Sequence, residues 1–265
     1  MIDLSIVIVN FKTPHLVLNC LGSIHAYAPA SVNYEIIVVD NASMDQSKEV
    51  LEAGISDFNS NGNACSVKLI VSEENNGYAA GVNQGLSIAE GEVYLLLNPD
   101  VRFVSDIFSP AIAIFDADPA IGVLGARLLN PNLTDQFGGR RNYRVRDLLS
   151  RRSGYLRDHS DKYHLVKLDE VGLTDVDWVM GTGLYVRASC YKNVGGMDES
   201  YFLYFEDVDL CNRVLRSGYR VCCAYELPLV HDHERGSQKL FSKLSRHHLA
   251  SMARYISKNM SEIRF

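Results

Sequence analysis

Three carboxylates within four positions, Glu206, Asp207 and Asp209, stand where an acidic run meets the start of a helical pattern. Acidic groups at a helix start oppose the positive end of the helix dipole, which explains some acidity but not three carboxylates so close together. A partly desolvated carboxylate can take the proton of a bound hydroxyl. Asp207 is the candidate general base, leaving Glu206 or Asp209 to orient a hydroxyl-bearing ligand or the neighbouring main chain. A second group, Asn98-Pro99-Asp100, follows the apolar run Val93 to Leu97. Proline ends that run and leaves Asp100 at its carboxyl edge, where Mg²⁺ or Mn²⁺ held through oxygen would offset the charge of a departing diphosphate. The same three residues are also ordinary turn formers. His231-Asp232-His233 follows Leu227 to Val230, and alternation puts both histidines on one face. There one of them completes a metal site, or both are plain surface residues. The segment Asn75 to Gly85 leads into a helix, with glycines permitting close backbone approach and amides able to face an anionic or ribosyl group. It is neither a Walker A loop nor a GxGxxG fingerprint, and helix capping with tight packing explains the same glycine spacing.

Such groups need a scaffold that brings them together. Leu4 to Asn10 and Tyr34 to Asp40 are β-branched runs of the kind buried on both faces of a sheet, with a helical pattern between them. Thr13 is suited to cap that helix and Pro14 to open it, while Val17, Cys20, Leu21, Ile24 and Ala28 share one face. Ser43 with Gln46 reads as a capping box for a second helix, Val67 to Val71 as a third strand and Val93 to Leu97 as a fourth. Open parallel sheets bind ligands beyond the carboxyl ends of their strands, so Asn10, Asp40 and Asn98 to Asp100 are expected around one crevice. Further along, Val176 to Val186 is strand-like, Glu206 to Ser217 reads as a helix closed by Gly218, and Tyr219 to Tyr225 as a strand. Gln136 to His164 is arginine-rich and lacks periodicity, so a mobile loop is expected there. Gln238 to Lys258 reads as an amphipathic helix with a basic polar side and with Leu240, Phe241, Leu244, Tyr255 and Ile256 among its apolar positions.

Bulk properties narrow the class. A chain of 265 residues with 47% hydrophobic content can build one large α/β domain or two small ones. A formal net charge of -6 argues against a general nucleic-acid binder, which needs a basic surplus to meet phosphates. Six cysteines without a CxxC pair, mostly inside apolar stretches, read as buried reduced thiols and favour the cytoplasm. Met1 to Val9 lacks a basic leader and a cleavage site, and no run approaches the roughly 18 apolar residues of a spanning helix, so any membrane contact is expected to be peripheral.

Taken in order, the segments Ser5 to Asn10, Val38 to Ser43, Asn75 to Gly85, Leu97 to Asp100, Gly195 to Glu199 and Tyr204 to Leu210 resemble the family 2 glycosyltransferases of GT-A fold. The similarity is greatest to the bacterial rhamnosyltransferase-like branch, which builds cell-surface polysaccharides. The resemblance implies an α/β fold with a Rossmann-like, mostly parallel central sheet flanked by helices and a C-terminal helical extension. It implies one catalytic domain over 1–236, with a nucleotide-binding half to about 100 and an acceptor-binding half from 101, and an amphipathic extension over 237–265. Asp40 would bind the donor's base or ribose, with Asn10, Lys12, Asn75, Gly77, Asn83 and Asn98 around the nucleotide. Asp100 and His231 would serve a divalent metal, Mg²⁺ or Mn²⁺, and Asp207 would be the base of an inverting single displacement. Trp178, Gly181 and Glu206 would meet the acceptor, although a lone tryptophan is as readily a core residue. Asn98 replaces the first acidic residue of the family's DxD motif, a departure common in this branch that leaves the metal less tightly specified. The implied donor is dTDP-rhamnose, with UDP-sugars still open, and the acceptor is a saccharide or a lipid-diphosphate-linked saccharide. Seven arginines from Arg140 to Arg157 either contact such a diphosphate or solvate a loop. The basic C-terminal helix either rests on the cytoplasmic face of the inner membrane or packs on the domain or a second subunit of a homodimer. Two other classes stand beside this reading: a metal-dependent phosphohydrolase around Asp100, His231 and His233, and a non-catalytic nucleotide-sugar-binding module. The poor His/Asp content near the amino terminus counts against the first, and the joint presence of Asp40, Asp100 and Asp207 against the second.

Overall fold

The structure, a computed structural model, describes residues 2–60, 65–142, 165–170, 172–232 and 243–259. Strand β1 (Leu4–Asn10), helix α1 (Pro14–Tyr27), β2 (Tyr34–Asp40), α2 (Ser47–Ser60), β3 (Val67–Val71), α3 (Tyr78–Leu86) and β4 (Val93–Leu97) alternate along the first part of the chain. β1 lies between β2 and β4, and β2 between β1 and β3, all parallel. Every residue of β1 and β2 is buried, and the polar pair inside their apolar runs is satisfied internally, the Ser5 hydroxyl donating to Glu35 Oε1 at 2.7 Å. Leu4, Ile6 and Ile8 enter the core beneath α1 and α2, whereas Val7 and Val9 enter the core beneath α3. Each fully buried side chain of this size contributes about 1.5–3 kcal/mol, so a one-residue slip of the register would be prohibitive.

The chain continues through β5 (Val101–Phe103), α4 (Phe108–Ala117), β6 (Ile121–Leu129), β7 (Gly139–Arg140), β8 (Leu173–Asp175), β9 (Trp178–Val179) and β10 (Leu184–Arg187). There follow α5 (Ala188–Asn193), α6 (Glu206–Arg216), β11 (Arg220–His231) and α7 (Lys243–Lys258). The main sheet runs β3-β2-β1-β4-β10-β6-β11-β5, with β8 on β11. β10 is antiparallel to both its neighbours, which makes β6 and β11 parallel to β4 and keeps the sheet mostly parallel.

Several local expectations need correction. Val176 to Val186 is not one strand: β9 joins β7 in a small second sheet, and β10 enters the main sheet after a turn through Gly181-Thr182-Gly183. Gly183 has φ +71°, and a Cβ there would lie 2.9 Å from Leu229 Cδ2 and 3.0 Å from the Cβ of Ala126. The strand expected to end at Tyr225 runs on to His231. Its register against β6 shifts between Cys223 and Pro228, and such an irregularity lets a strand accommodate a proline that has no N–H to donate. Ser43 does not box the start of α2; Asp45 Oδ1 accepts the Ser47 N–H instead, at 2.9 Å. Nor does the Thr13 hydroxyl cap α1, because it donates to Asn10 Oδ1 at 3.2 Å.

Helix α7 seats on its own domain. The Tyr255 hydroxyl accepts from Asn212 Nδ2 at 2.8 Å, the Ser251 hydroxyl donates to the Leu203 carbonyl at 2.8 Å, and His247 stacks on Phe202 with ring centres 4.2 Å apart. Residues 238–242 of the expected helix, His233, and residues 143–164 of the arginine-rich segment lie outside the described residues. All six cysteines are buried and free. Among the described residues, no helix is long and apolar enough to cross a membrane.

Candidate active site

Parallel pairing brings the carboxyl ends of β1, β2 and β4 to one edge, where Asn10 and Asp40 are register partners. Asn10 Nδ2 donates to Asp40 Oδ1 at 2.7 Å, and the Ser43 hydroxyl donates to the same oxygen. Asn10 is fully buried and Asp40 is 2% exposed, so Asn10 and Ser43 hold the carboxylate from behind. The Lys12 N–H donates to Ser43 Oγ at 2.9 Å with the lysine at φ +62°, and its ammonium sits 5.3 Å from the centre of the Phe11 ring. Asn41 Nδ2 donates to Asn75 Oδ1 at 3.2 Å and to the Gly77 carbonyl at 2.9 Å. Beside these amides opens a cleft of about 670 Å³, lined among others by Asn41, Ser72, Glu73, Asn76, Gly81 and Gln84. That volume is within the range of small-molecule and cofactor sites.

Two of the residues expected around the nucleotide have clear structural duties. Gly77 has φ +95°, and a Cβ on it would lie 2.3 Å from the Phe202 carbonyl oxygen. Gly77→Ala is expected to lower stability by about 3 kcal/mol or more, since left-handed strain and overpacking add; an unchanged urea midpoint would refute the close approach of Phe202. Asn83 has its whole amide engaged. Its oxygen accepts from the Tyr191 hydroxyl and the Met197 N–H, and its nitrogen donates to the Met197 carbonyl at 2.9 Å and to Glu199 Oε1 at 2.8 Å. Asn83 therefore pins the Gly195-to-Glu199 loop against α3.

At the end of β4, Asn98 Nδ2 donates to Thr182 Oγ1 at 2.7 Å. Asp100 Oδ2 lies 3.4 Å from His231 Nε2, and Asp100 Oδ1 is buried with no hydrogen-bond partner among the described residues. A buried carboxylate oxygen without a donor is costly, and a cation relieves that cost. One carboxylate and one imidazole suit a divalent ion that keeps waters and takes its remaining oxygens from a substrate diphosphate. No cluster of three or more His, Cys, Asp or Glu side chains that could hold a metal occurs among the described residues. Gln136 was not singled out in the sequence and nothing local marks it, yet its side chain meets both His231 Nδ1 and the His231 carbonyl across 95 positions.

The acidic run opens α6. Tyr204 and Phe205 before it have φ +71° and +70°, and left-handed backbone at two successive bulky residues is strained. Asp207 Oδ2 accepts the Gly181 N–H at 3.0 Å and Oδ1 accepts the Val208 N–H at 2.8 Å. Burial raises its carboxyl above the ordinary aspartate value, although these N–H groups and the Arg140 charge oppose the rise. Glu206 is 6% exposed, and burial together with the Asp207 charge pushes its carboxyl far up. Both carboxyls are pushed up, Glu206 the further of the two. Tyr78 was not singled out either; its hydroxyl reaches the Gly181 carbonyl at 3.4 Å, and burial with the charges of Glu206, Asp207 and Asp100 pushes the phenol up. Asp209 turns away from this site, bonding Arg213 Nε at 2.7 Å and Lys258 Nζ at 2.6 Å. Trp178 is 6% exposed, its ring in the core and its N–H on the Arg141 carbonyl at 3.2 Å.

The raised Glu206 carboxyl carries a stability signature. Between the unfolded and the raised folded value the native state holds the extra proton, so this residue's contribution is present at low pH and is lost as pH rises. Glu206→Gln, which cannot ionise, is expected to melt progressively higher than the parent as pH is taken from about 5 to about 8. A constant difference in melting temperature across that range would rule out an ionising, buried Glu206.

Residues 5–170 match the family model described as glycosyl transferase family 2. The rhamnosyltransferase WbbL of Escherichia coli is 38% identical over 85 residues, which are 32% of this chain and 32% of that protein. An N-acetylglucosaminyl-diphospho-decaprenol L-rhamnosyltransferase of Mycobacterium tuberculosis is 50% identical over 44 residues, 17% of this chain and 14% of that protein. The matched stretches thus span under a third of either relative. The structure of the mannosyltransferase PcManGT from Pyrobaculum calidifontis, in complex with GDP-Man and Mn²⁺, superposes with a TM-score of 0.65 at 17% identity. It covers 96% of this chain and 64% of that one, and the likeness shows a shared GT-A fold. With a family match that runs over well more than half its length and takes in Asp40, Gly77 and Asp100, the chain belongs to glycosyl transferase family 2.

Proposed function

We propose that the protein transfers rhamnose from dTDP-rhamnose, with inversion, to a hydroxyl of a saccharide or lipid-diphosphate-linked saccharide in cell-surface polysaccharide synthesis. The observation that carries this reading is the Asp207 carboxylate, desolvated and aimed by two backbone N–H groups, in the same electrostatic neighbourhood as Asp100 around Tyr78. The names of the Escherichia coli and Mycobacterium tuberculosis relatives support rhamnose, and the latter supports a diphospho-lipid acceptor.

In this mechanism Asp40, held by Asn10 and Ser43, accepts hydrogen bonds from the donor's base or ribose. Asp100 and His231 would hold the metal, with Lys12, Asn75 and Asn98 nearer the nucleotide. A bound Mg²⁺ or Mn²⁺ supplies Lewis-acid stabilisation of the diphosphate's charge. Asp207 takes the proton from the acceptor hydroxyl as its oxygen bonds to the anomeric carbon and the carbon–oxygen bond to the diphosphate breaks. Protonated Glu206 donates a hydrogen bond that orients the acceptor, and Gly181 fixes the near oxygen of Asp207. By this reading, residues to about 100 serve the nucleotide and residues 101–236 serve the acceptor.

A thermal-shift screen of dTDP-rhamnose, UDP-sugars and GDP-mannose, each with and without Mn²⁺, tests the donor before any acceptor is known. The largest shift is expected with dTDP-rhamnose and only with metal. A larger shift with a UDP-sugar would replace the donor, and no shift with any nucleotide sugar would overturn the reading. Rapid hydrolysis of simple phosphate esters without an acceptor would establish the phosphohydrolase instead.

A further inference from the structure

His231 is gripped by a residue far from it in the chain. Gln136 Nε2 donates to the His231 carbonyl at 2.7 Å, and Gln136 Oε1 lies 2.9 Å from His231 Nδ1. The first bond settles the second. An amide whose nitrogen serves a carbonyl turns its oxygen to the ring, and that oxygen can only accept, so Nδ1 carries the proton. A neutral ring protonated at Nδ1 has its lone pair on Nε2, the atom 3.4 Å from Asp100 Oδ2. In that tautomer the Nε2 lone pair and the Asp100 carboxylate are both able to meet one divalent cation.

The grip itself rests on fixed backbone. The Gln136 N–H donates to the Leu128 carbonyl at 2.8 Å, the Gly138 carbonyl accepts from Met180 at 3.2 Å, and Gly139 pairs with Val179. The same strap then carries Arg140, whose charge opposes the rise of the Asp207 carboxyl. On the other side, His231 is 1% exposed at the end of β11, opposite Val101. Gln136 thus reaches an anchored histidine from an anchored strap, and glutamine is the side chain that can both donate to the carbonyl and accept from the ring.

We propose that Gln136 is the positioning residue of His231, fixing the tautomer that presents Nε2 to a divalent cation beside Asp100. The proposal rests on the metal reading of Asp100 and His231 above. Outer partners of metal-binding histidines set ring orientation and basicity, and losing one costs about 10–100-fold in metal affinity.

Two measurements on the full chain test it. The first is the imidazole ¹⁵N spectrum near pH 8, with the His231 signals assigned by their loss in His231→Asn. The parent should show a protonated Nδ1 and a bare Nε2. Gln136→Leu should lose that tautomer, while Gln136→Glu, which keeps an acceptor for the ring, should retain it. The second is Mn²⁺ titration in the presence of dTDP, read by the electron paramagnetic resonance of free Mn²⁺. Gln136→Leu should weaken Mn²⁺ binding about 10–100-fold and Gln136→Glu much less. A parent ring protonated at Nε2, or at both nitrogens, overturns the proposal without any variant. So does a Gln136→Leu protein with the parent's spectrum and Mn²⁺ affinity. A parent with the expected tautomer that takes up no Mn²⁺ overturns the metal reading and the purpose proposed for Gln136 together.

Discussion

Asp207→Asn is expected to lower the turnover of sugar transfer by about 10²–10⁴-fold while leaving the metal-dependent thermal shift with dTDP-rhamnose intact. Asparagine keeps the shape and an oxygen for the Gly181 or Val208 N–H, but it cannot take a proton. The loss should therefore fall on kcat, with little change in donor binding. The pH profile gives a second reading of the same group. Burial raises the Asp207 carboxyl, so the base form is lost on acidification at a higher pH than for an exposed aspartate, and kcat/KM should fall there and level off above it. Arg140 works against that rise, so Arg140→Met should move the acid limb to still higher pH. Transfer by Asp207→Asn at the parental rate would remove Asp207 from the role of base.

The parts of this site that sequence shows best are those fixed by the sheet. β1, β2 and β4 coincide with their largely apolar runs because strands buried on both faces demand them, the edge strand β3 shows through its β-branched residues, and parallel pairing then fixes which ends face the ligand. Asn10, Asp40 and Asp100 follow directly from that. Side-chain duties were harder to read, since they depend on partners distant in the chain. Asn83, in a glycine-rich segment that suggests ligand contact, spends its amide on Met197 and Glu199, more than a hundred positions away. Ser43 looks like a helix cap, but the loop from β2 to α2 turns its hydroxyl back onto Asp40, three positions earlier. Gly181-Thr182-Gly183 breaks what reads as one strand, and the break is what delivers an N–H to Asp207. Asp209 appears interchangeable with Glu206 and Asp207 by type and spacing. Its position one turn before Arg213, facing Lys258 of α7, commits it to packing instead. Asn83, Gly181 and the Lys258 partner of Asp209 owe their duties to tertiary contacts, while Ser43 turns back within three positions, a local choice that residue type leaves open.

Asp100→Ala is expected to separate function from stability. Stabilisation of a diphosphate by a metal ion is worth several kcal/mol, and each 1.36 kcal/mol is tenfold, so transfer should fall by about 10²-fold or more. The thermal shift with dTDP-rhamnose should become the same with and without Mn²⁺. The ligand-free variant, in contrast, should melt no lower than the parent, because the substitution removes a buried oxygen that lacks a donor, a group whose burial costs about 1–3 kcal/mol. The backbone bond from the Asp232 N–H to the Asp100 carbonyl survives the change, so the turn after β4 keeps its anchor. A purely structural aspartate would behave in the opposite way, with a lowered melting temperature and unchanged metal dependence. His231→Ala leaves Asp100 in place to meet the ion alone, so its loss of Mn²⁺ dependence should be partial where that of Asp100→Ala is complete.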